Sequence, residues 1–115
     1  MLSKKTTKQI GDEWEEKSKT FLETQKYAFV TQNYRCGRNE IDLIFKFQNT
    51  LIFVEVKYRK NSTYGNPEEF VDRAKLERVM EAAENYIYKT DWQGEIRFDI
   101  VAITGHSIQH LIDVT

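Results

Sequence analysis

Two acidic residues stand in strands whose patterning calls for apolar side chains. Leu51-Ile52-Phe53-Val54-Glu55-Val56-Lys57 is apolar on both faces before it meets its charges, the pattern of a central strand covered on both sides. Alternation sets Phe53, Glu55 and Lys57 on one face, so Glu55 follows a large aromatic into a partly dry region. An unpaired ion there is costly or shifts its pKa, so Glu55 requires a partner. Asp42, within Ile41-Asp42-Leu43-Ile44-Phe45, repeats the anomaly on the preceding strand. Two carboxylates and an ammonium on adjacent antiparallel strands fit a hard divalent cation, Mg2+ or Mn2+, completed by water and backbone carbonyl oxygen. Such a cation would acidify and orient a water, Lys57 would position or deprotonate it, and both positive groups would stabilise charge growing on a phosphate. That suits phosphodiester hydrolysis. From spacing alone the same residues serve equally well as an ion pair at a strand end, because Glu-x-Lys is common by chance.

The elements must bring Asp42 and Glu55 together. Ile10, Trp14, Phe21 and Leu22 recur at helical spacing and predict an amphipathic helix over residues 7–26. A short strand is predicted at 27–34, a turn at 36–39, and two stronger strands at 40–47 and 51–58, joined as a hairpin by Gln48-Asn49-Thr50. Residues 59–66 read as a loop. A second helix then starts at Asn66-Pro67 or under a later Asp72 cap, with Leu76, Val79, Met80, Ala83 and Ile87 on its buried face. Strands at 95–104 and 107–113 flank a turn at Gly105-His106. The hairpin loop decides the site. Phe47 opposite Leu51 across three residues would send Asp42 and Glu55 to opposite faces, whereas a two- or four-residue loop, or a bulge, sets Asp42 opposite Glu55 or Lys57.

Composition narrows the alternatives. A chain of 115 residues with 40% hydrophobic content suits one domain, and its net charge of -1 supplies no global basic field of the kind that announces a nucleic-acid binder. Cys36 is the lone cysteine and has no local activating His, so an inert thiol is expected. The start lacks the apolar stretch of a signal peptide, and no apolar run approaches the ~20 residues of a spanning helix. A cytoplasmic protein without a membrane span is the simplest reading.

Several further residues are candidates. Glu15 lies at the border of the first helix's apolar stripe, from which it could reach inward or remain a surface charge. Lys57-Tyr58-Arg59-Lys60, with Tyr64 and with Arg73, Lys75 and Arg78 on the next helix, forms the densest basic and aromatic neighbourhood. It could hold phosphates, or be a solvated face. Arg97 and Asp99 share a strand face, where pairing with each other is favoured over catalysis. His106 and His110 have helix-like ligand spacing but fall in a turn and a strand, which argues against zinc.

Asp42 followed thirteen residues later by Glu55-Val56-Lys57, each late in a hairpin strand, resembles the PD-(D/E)XK nuclease motif. The sequence is more closely similar to the YraN-like family of small uncharacterised bacterial proteins. Gly11 with Glu15, Glu40-Ile41-Asp42-Leu43-Ile44, Phe53-Val54-Glu55-Val56-Lys57-Tyr58-Arg59, Tyr64-Gly65, Lys75 and Arg97-Phe98-Asp99 carry that likeness. It implies an α/β, restriction-endonuclease-like fold with a central mixed sheet of about five strands flanked by helices, in α-β-β-β-α-β-β order, as one nuclease-like domain over residues 1–115. It also implies a Mg2+- or Mn2+-dependent endonuclease-like hydrolase of nucleic acid, most naturally DNA, in repair or recombination. Asp42 and Glu55 would be metal ligands, Lys57 catalytic and Glu15 the additional acid. Arg59, Lys60, Lys75 and Arg78 would contact nucleic acid, Lys75 matching the family's lysine. The family usually has Gly at the positions of Asn39 and Trp14, and Ala at that of Ser18. Asn at 39 tolerates a left-handed turn, while Trp14 implies altered packing beside Glu15. No Gln-x-x-x-Tyr of some related nucleases appears on the second helix. The competing readings are a non-catalytic nucleic-acid-binding module on the same fold and a protein-binding scaffold using exposed aromatics.

Overall fold

The structure is a computed structural model that describes residues 4–59, 72–105 and 107–115. Helix α1, Thr7–Thr24, begins under a capping box in which Thr6 Oγ1 accepts from the Gln9 N–H (3.1 Å) and Gln9 Oε1 accepts from the Thr6 N–H (2.8 Å). Its anchor lies further along, where Ser18 and Leu22 are fully buried. The Ser18 hydroxyl donates back to the Trp14 carbonyl at 2.8 Å, so a polar residue sits in a dry position without an unmet donor. Trp14 stacks on Tyr58 at 4.2 Å between ring centroids and ties the middle of α1 to the third strand. Residues 7–13 are all exposed, Ile10 among them at 40%. The apolar stripe therefore contributes to packing only from Trp14 onward, leaving the first two turns of α1 exposed.

Five strands, β1 (Ala28–Cys36), β2 (Asn39–Phe47), β3 (Thr50–Arg59), β4 (Glu95–Thr104) and β5 (Ser107–Leu111), form one sheet in sequential order. Neighbours are antiparallel except β3 and β4, which run parallel on either side of helix α2 (Arg73–Thr90). A parallel pair requires a crossover, and α2 supplies it. The architecture is α/β, a five-stranded mixed sheet flanked by two helices, consistent with a restriction-endonuclease-like fold and in the expected element order. The predicted start of α2 at Asn66-Pro67 lies outside the described residues, while Asp72 caps it, accepting from the Lys75 N–H at 3.3 Å. No helix among the described residues is long and apolar enough to cross a membrane.

The helices cover opposite faces. Leu22 of α1 packs with Leu43, Phe45, Ile52, Val54, Val101 and Ile103. Leu76, Val79, Ala82 and Ala83 of α2 pack with Ile41, Ile44, Leu51, Phe53 and Phe98. Burial on both sides accounts for the continuous apolar run of β3. Met80, expected inside, is 37% exposed, and Ala82 takes its place because the contact stripe runs through Leu76, Val79 and the alanine pair. Thr50 belongs to β3 rather than to the loop, and β5 ends at Leu111 rather than at residue 113. In the β1–β2 turn the left-handed residue is Gly37, φ +62°, rather than Asn39, which instead donates through Nδ2 to Glu81 Oε2 at 3.1 Å.

Candidate metal centre

Phe47 pairs with Thr50, so the hairpin loop is the two residues Gln48 and Asn49. The ladder runs back to Leu43 opposite Val54, and its continuation sets Asp42 across from Glu55. There the pairing changes hands. Alternation from the closing pair assigns the Val56 N–H to Ile41, yet Asp42 Oδ2 accepts it at 2.8 Å. The faces are disturbed too. Ile41 and Leu43, two apart, are expected on one side of the sheet, but Ile41 packs in the α2-side core and Leu43 in the α1-side core. On β1, Asn33 lies between the pairs Gln32–Leu43 and Tyr34–Ile41 and adopts φ +52°, an uncommon conformation for a strand residue. Asp42 thus occupies a break in the pleat from which its carboxylate feels groups from both faces.

From the α1 side come Glu15 and, two residues before Asp42, Glu40. One oxygen from each of Glu15, Glu40 and Asp42 lies within 4.8 Å of the others, and all three residues are half-buried. The Asn33 carboxamide, its orientation assigned from its partners, donates to Glu15 Oε1 at 3.0 Å and Glu40 Oε1 at 3.3 Å. Arg35 pairs with Glu40 at 3.0 Å. Burial first, then repulsion from Asp42, Asp12 and Glu40, pushes the Glu15 carboxyl up to about 7 against the Asn33 hydrogen bond. Burial likewise lifts Asp42 to about 6; the Val56 N–H opposes this, Glu55 adds to it, Lys75 opposes it and Glu40 adds a little more.

From the α2 side comes Glu55, 8% exposed. Lys75 Nζ lies 2.5 Å and Lys57 Nζ 3.5 Å from the same Oε1. These are ionic contacts, since that oxygen has no aligned hydrogen-bond donor among the described residues. Burial works against the charge of Lys75, but Glu55 and Asp42 outweigh it and hold the ammonium above the ordinary lysine value. The Asp72 cap fixes the turn that carries Lys75, so a local helix signal positions a site residue. A cleft of about 340 Å3 beside this pair is lined by Arg38, Asn39, Glu40, Asp42, Lys75 and Arg78.

The predicted residues therefore fall into two joined groups. Asp42 gathers Glu15 and Glu40, while Glu55 gathers Lys57 and Lys75. Arg78 shares the cleft with Lys75, and Arg59 ends β3 opposite Thr104, its carbonyl accepting from the Gly105 N–H. Lys60, Tyr64, Gly65 and His106 lie outside the described residues. Glu40, Asn33 and Arg38 were not among the sequence-derived site residues. Glu40 carried a usable signal, since residues two apart on a strand share a face, whereas Asn33 depends on a backbone conformation that no local pattern announces.

The donor set fits a hard cation. Oxygens bound to Mg2+ or Mn2+ at about 2.1 Å sit about 3.0 Å apart when adjacent and about 4.2 Å when opposite, so a triad within 4.8 Å needs only small side-chain adjustment. The remaining motif acid, Asp99, behaves differently. Asp99, 2% exposed, accepts from Arg97 Nε (2.9 Å) and Nη2 (2.8 Å) and from the Asp113 N–H (2.9 Å), and lies 2.6 Å from His110 Nε2. Burial alone would raise its pKa, but these partners hold it below the ordinary carboxylate value. Arg97 also donates to the Tyr27 hydroxyl at 2.8 Å, so this group braces β4, β5 and the start of β1. Cys36 is a free thiol packed against the α2-side core.

The sequence was also compared with known proteins. A UPF0102 protein of Cytophaga hutchinsonii is 53% identical over 108 residues, covering 93% of this chain and 96% of the relative. A UPF0102 protein of Chloroherpeton thalassium is 44% identical over 95 residues, 82% of this chain and 74% of the relative. One of Phocaeicola vulgatus is 33% identical over 105 residues, 91% and 87%. The family model matches residues 14–103, a span that includes Glu15, Glu40, Asp42, Glu55, Lys57 and Lys75, and the chain belongs to the uncharacterised protein family UPF0102.

Proposed function

We propose that this protein is a Mg2+- or Mn2+-dependent nuclease that hydrolyses phosphodiester bonds in nucleic acid, DNA in the first instance, in repair or recombination. The observation that carries the reading is the half-buried triad of Glu15, Glu40 and Asp42, two of whose members are pushed up in pKa, directly beside the buried Glu55 with its two lysines. Three carboxylates so close repel one another as anions, and a cation among them relieves that repulsion. Asp42, Glu15 and Glu40 would hold that cation, and Glu55, close enough to raise the Asp42 pKa, would supply a further oxygen. The bound cation supplies Lewis acidity toward water and the phosphate. Lys57, 3.5 Å from the Glu55 carboxylate, would orient the attacking water and offset charge developing on the phosphate. Lys75 and Arg78 bind phosphate oxygens from the α2 side, with Arg59 at the end of β3; Lys60, next in sequence, is a further candidate contact.

The shared neutralisation of Glu55 by Lys57 and Lys75 favours one rival: a nucleic-acid-binding module in which that ion group is permanent. A panel of duplex, single-stranded, flapped and junction DNA, together with RNA, incubated with Mg2+ or Mn2+, separates the two. The nuclease reading expects cleavage by wild type, none by Glu55→Ala, and none by Lys57→Ala, which retains Mn2+ affinity because no ligand is lost. Salt-dependent binding without any cleavage, unchanged in Glu55→Ala, supports the binding module and overturns the nuclease.

A further inference from the structure

Gly11 is an interior residue of α1, one turn before Glu15 on the same side of the helix. Its conformation needs no glycine, because it is helical and its φ is not in the left-handed region. Its surroundings need none either, since a Cβ built there meets nothing within 4 Å. A helix-interior glycine is unfavourable relative to alanine, so neither backbone geometry nor internal packing accounts for this one.

The open space in front of Gly11 belongs to a cleft of about 340 Å3 between α1 and the β1–β2 hairpin. Lys8 and Arg35 stand at its mouth with side chains 85% and 77% exposed, and Glu15 and Glu40 of the acidic triad form its inner wall. Among the described residues each cation has one carboxylate partner, Lys8 the exposed Asp12 at 3.1 Å and Arg35 the half-buried Glu40 at 3.0 Å. Pairs whose cation is this exposed are weakly held, so the cation is free to turn to a phosphate. The missing side chain therefore leaves bare helix backbone beside the triad, with two exchangeable cations at the edge.

We infer that Gly11 marks the path of the substrate strand: the sugar-phosphate backbone flanking the reacting phosphodiester crosses α1 against Gly11, its phosphates meeting Lys8 and Arg35. This rests on the nuclease reading and adds to it the side from which the strand approaches the acids. A close approach of ligand to helix backbone is the one demand here that only glycine meets.

The test compares wild type with Gly11→Ala and Gly11→Leu. Melting temperature, calorimetric Mn2+ affinity, and anisotropy of labelled duplex, flap and single-stranded DNA in non-cleaving Ca2+ are measured for each. Gly11→Ala is expected to melt higher by about 4 °C or more, as the better helix former. Its affinity for DNA is expected to fall severalfold, and that of Gly11→Leu by about tenfold or more, the filled space excluding the strand. Mn2+ affinity should stay within about twofold of wild type in both, since no ligand changes. A well-folded Gly11→Leu protein that binds DNA as wild type does overturns the inference and leaves the nuclease reading standing. Wild type that binds none of the DNA forms overturns both. Loss of stability in Gly11→Ala would show a packing role and also overturn it.

Discussion

Asp99 and Asp42 are both shielded aspartates on strands of one sheet, and the protein treats them in opposite ways. Asp99 is surrounded by donors: a bidentate guanidinium, an imidazole nitrogen and a backbone N–H, which together hold its pKa low. Asp42 has one backbone N–H and is otherwise set among Glu15, Glu40 and Glu55, with Lys75 as the opposing charge, and its pKa is raised. The first arrangement is complete without any further group. The second places like charges together at a stability penalty that a cation would offset. Sequence motifs treat both as matched acids; the surroundings separate the brace from the site.

The comparison breaks most visibly by mutation at the brace. Asp99→Ala leaves the half-buried Arg97 without its carboxylate and orphans the Asp113 N–H, so it should destabilise by about 3 kcal/mol. Asp42→Asn should be neutral or stabilising, because it removes a repelled charge. Chemical denaturation of both variants without added metal checks this. Equal, large losses would mean Asp42 is a second brace.

Next in size is the response to metal. Mn2+ at about a hundredfold above its Kd should stabilise wild type by about 2.7 kcal/mol. The shift should vanish in Asp42→Asn and shrink in Glu15→Gln and Glu40→Gln, while Asp99 variants that still fold keep it. Thermal melts with and without Mn2+ read the difference.

The pH dependence is smaller and distinguishes the two acids by sign. Glu15 rises from 4.5 to about 7 and Asp42 from 3.8 to about 6, so the folded state binds more protons than the unfolded between roughly pH 4 and 7. Their contribution without metal is therefore a loss of stability as pH rises through that window, on the order of 1 kcal/mol after solvent screening. Asp99 is depressed, so its contribution is present above its unfolded value of 3.8 and lost as pH falls below it. Saturating Mn2+ should abolish the first trend and leave the second, because protons and cation compete for the same oxygens. Urea titrations across pH, with and without Mn2+, measure both.

The order of elements, the buried charge of β3 and the Asp72 cap were legible because each rests on local pattern: periodicity, alternation and a capping residue. The partnership of Arg97 with Asp99 followed from their shared face. What was hidden depends on backbone detail. Gln48 at φ +54° closes a two-residue turn that its residue type does not advertise, which is why Thr50 read as loop. The two-residue loop is one of the lengths that parity favours for the site, and the ladder it closes runs back to Leu43 opposite Val54. Parity does not foresee the break in the pleat at Asp42 and the left-handed Asn33, which open Asp42 to α1 as well as to α2. Glu40, two residues before Asp42 and within the same motif run, could have been read as a third acid from alternation alone.

Calorimetric titration of Mn2+ into the metal-free protein at about pH 8, where Glu15 is ionised, tests the central claim most directly. Saturable binding of Mn2+ by wild type, lost in a folded Asp42→Asn protein and retained in Lys57→Ala, is the predicted result. A wild type that binds no Mn2+, or an Asp42→Asn protein that binds it equally well, would contradict it.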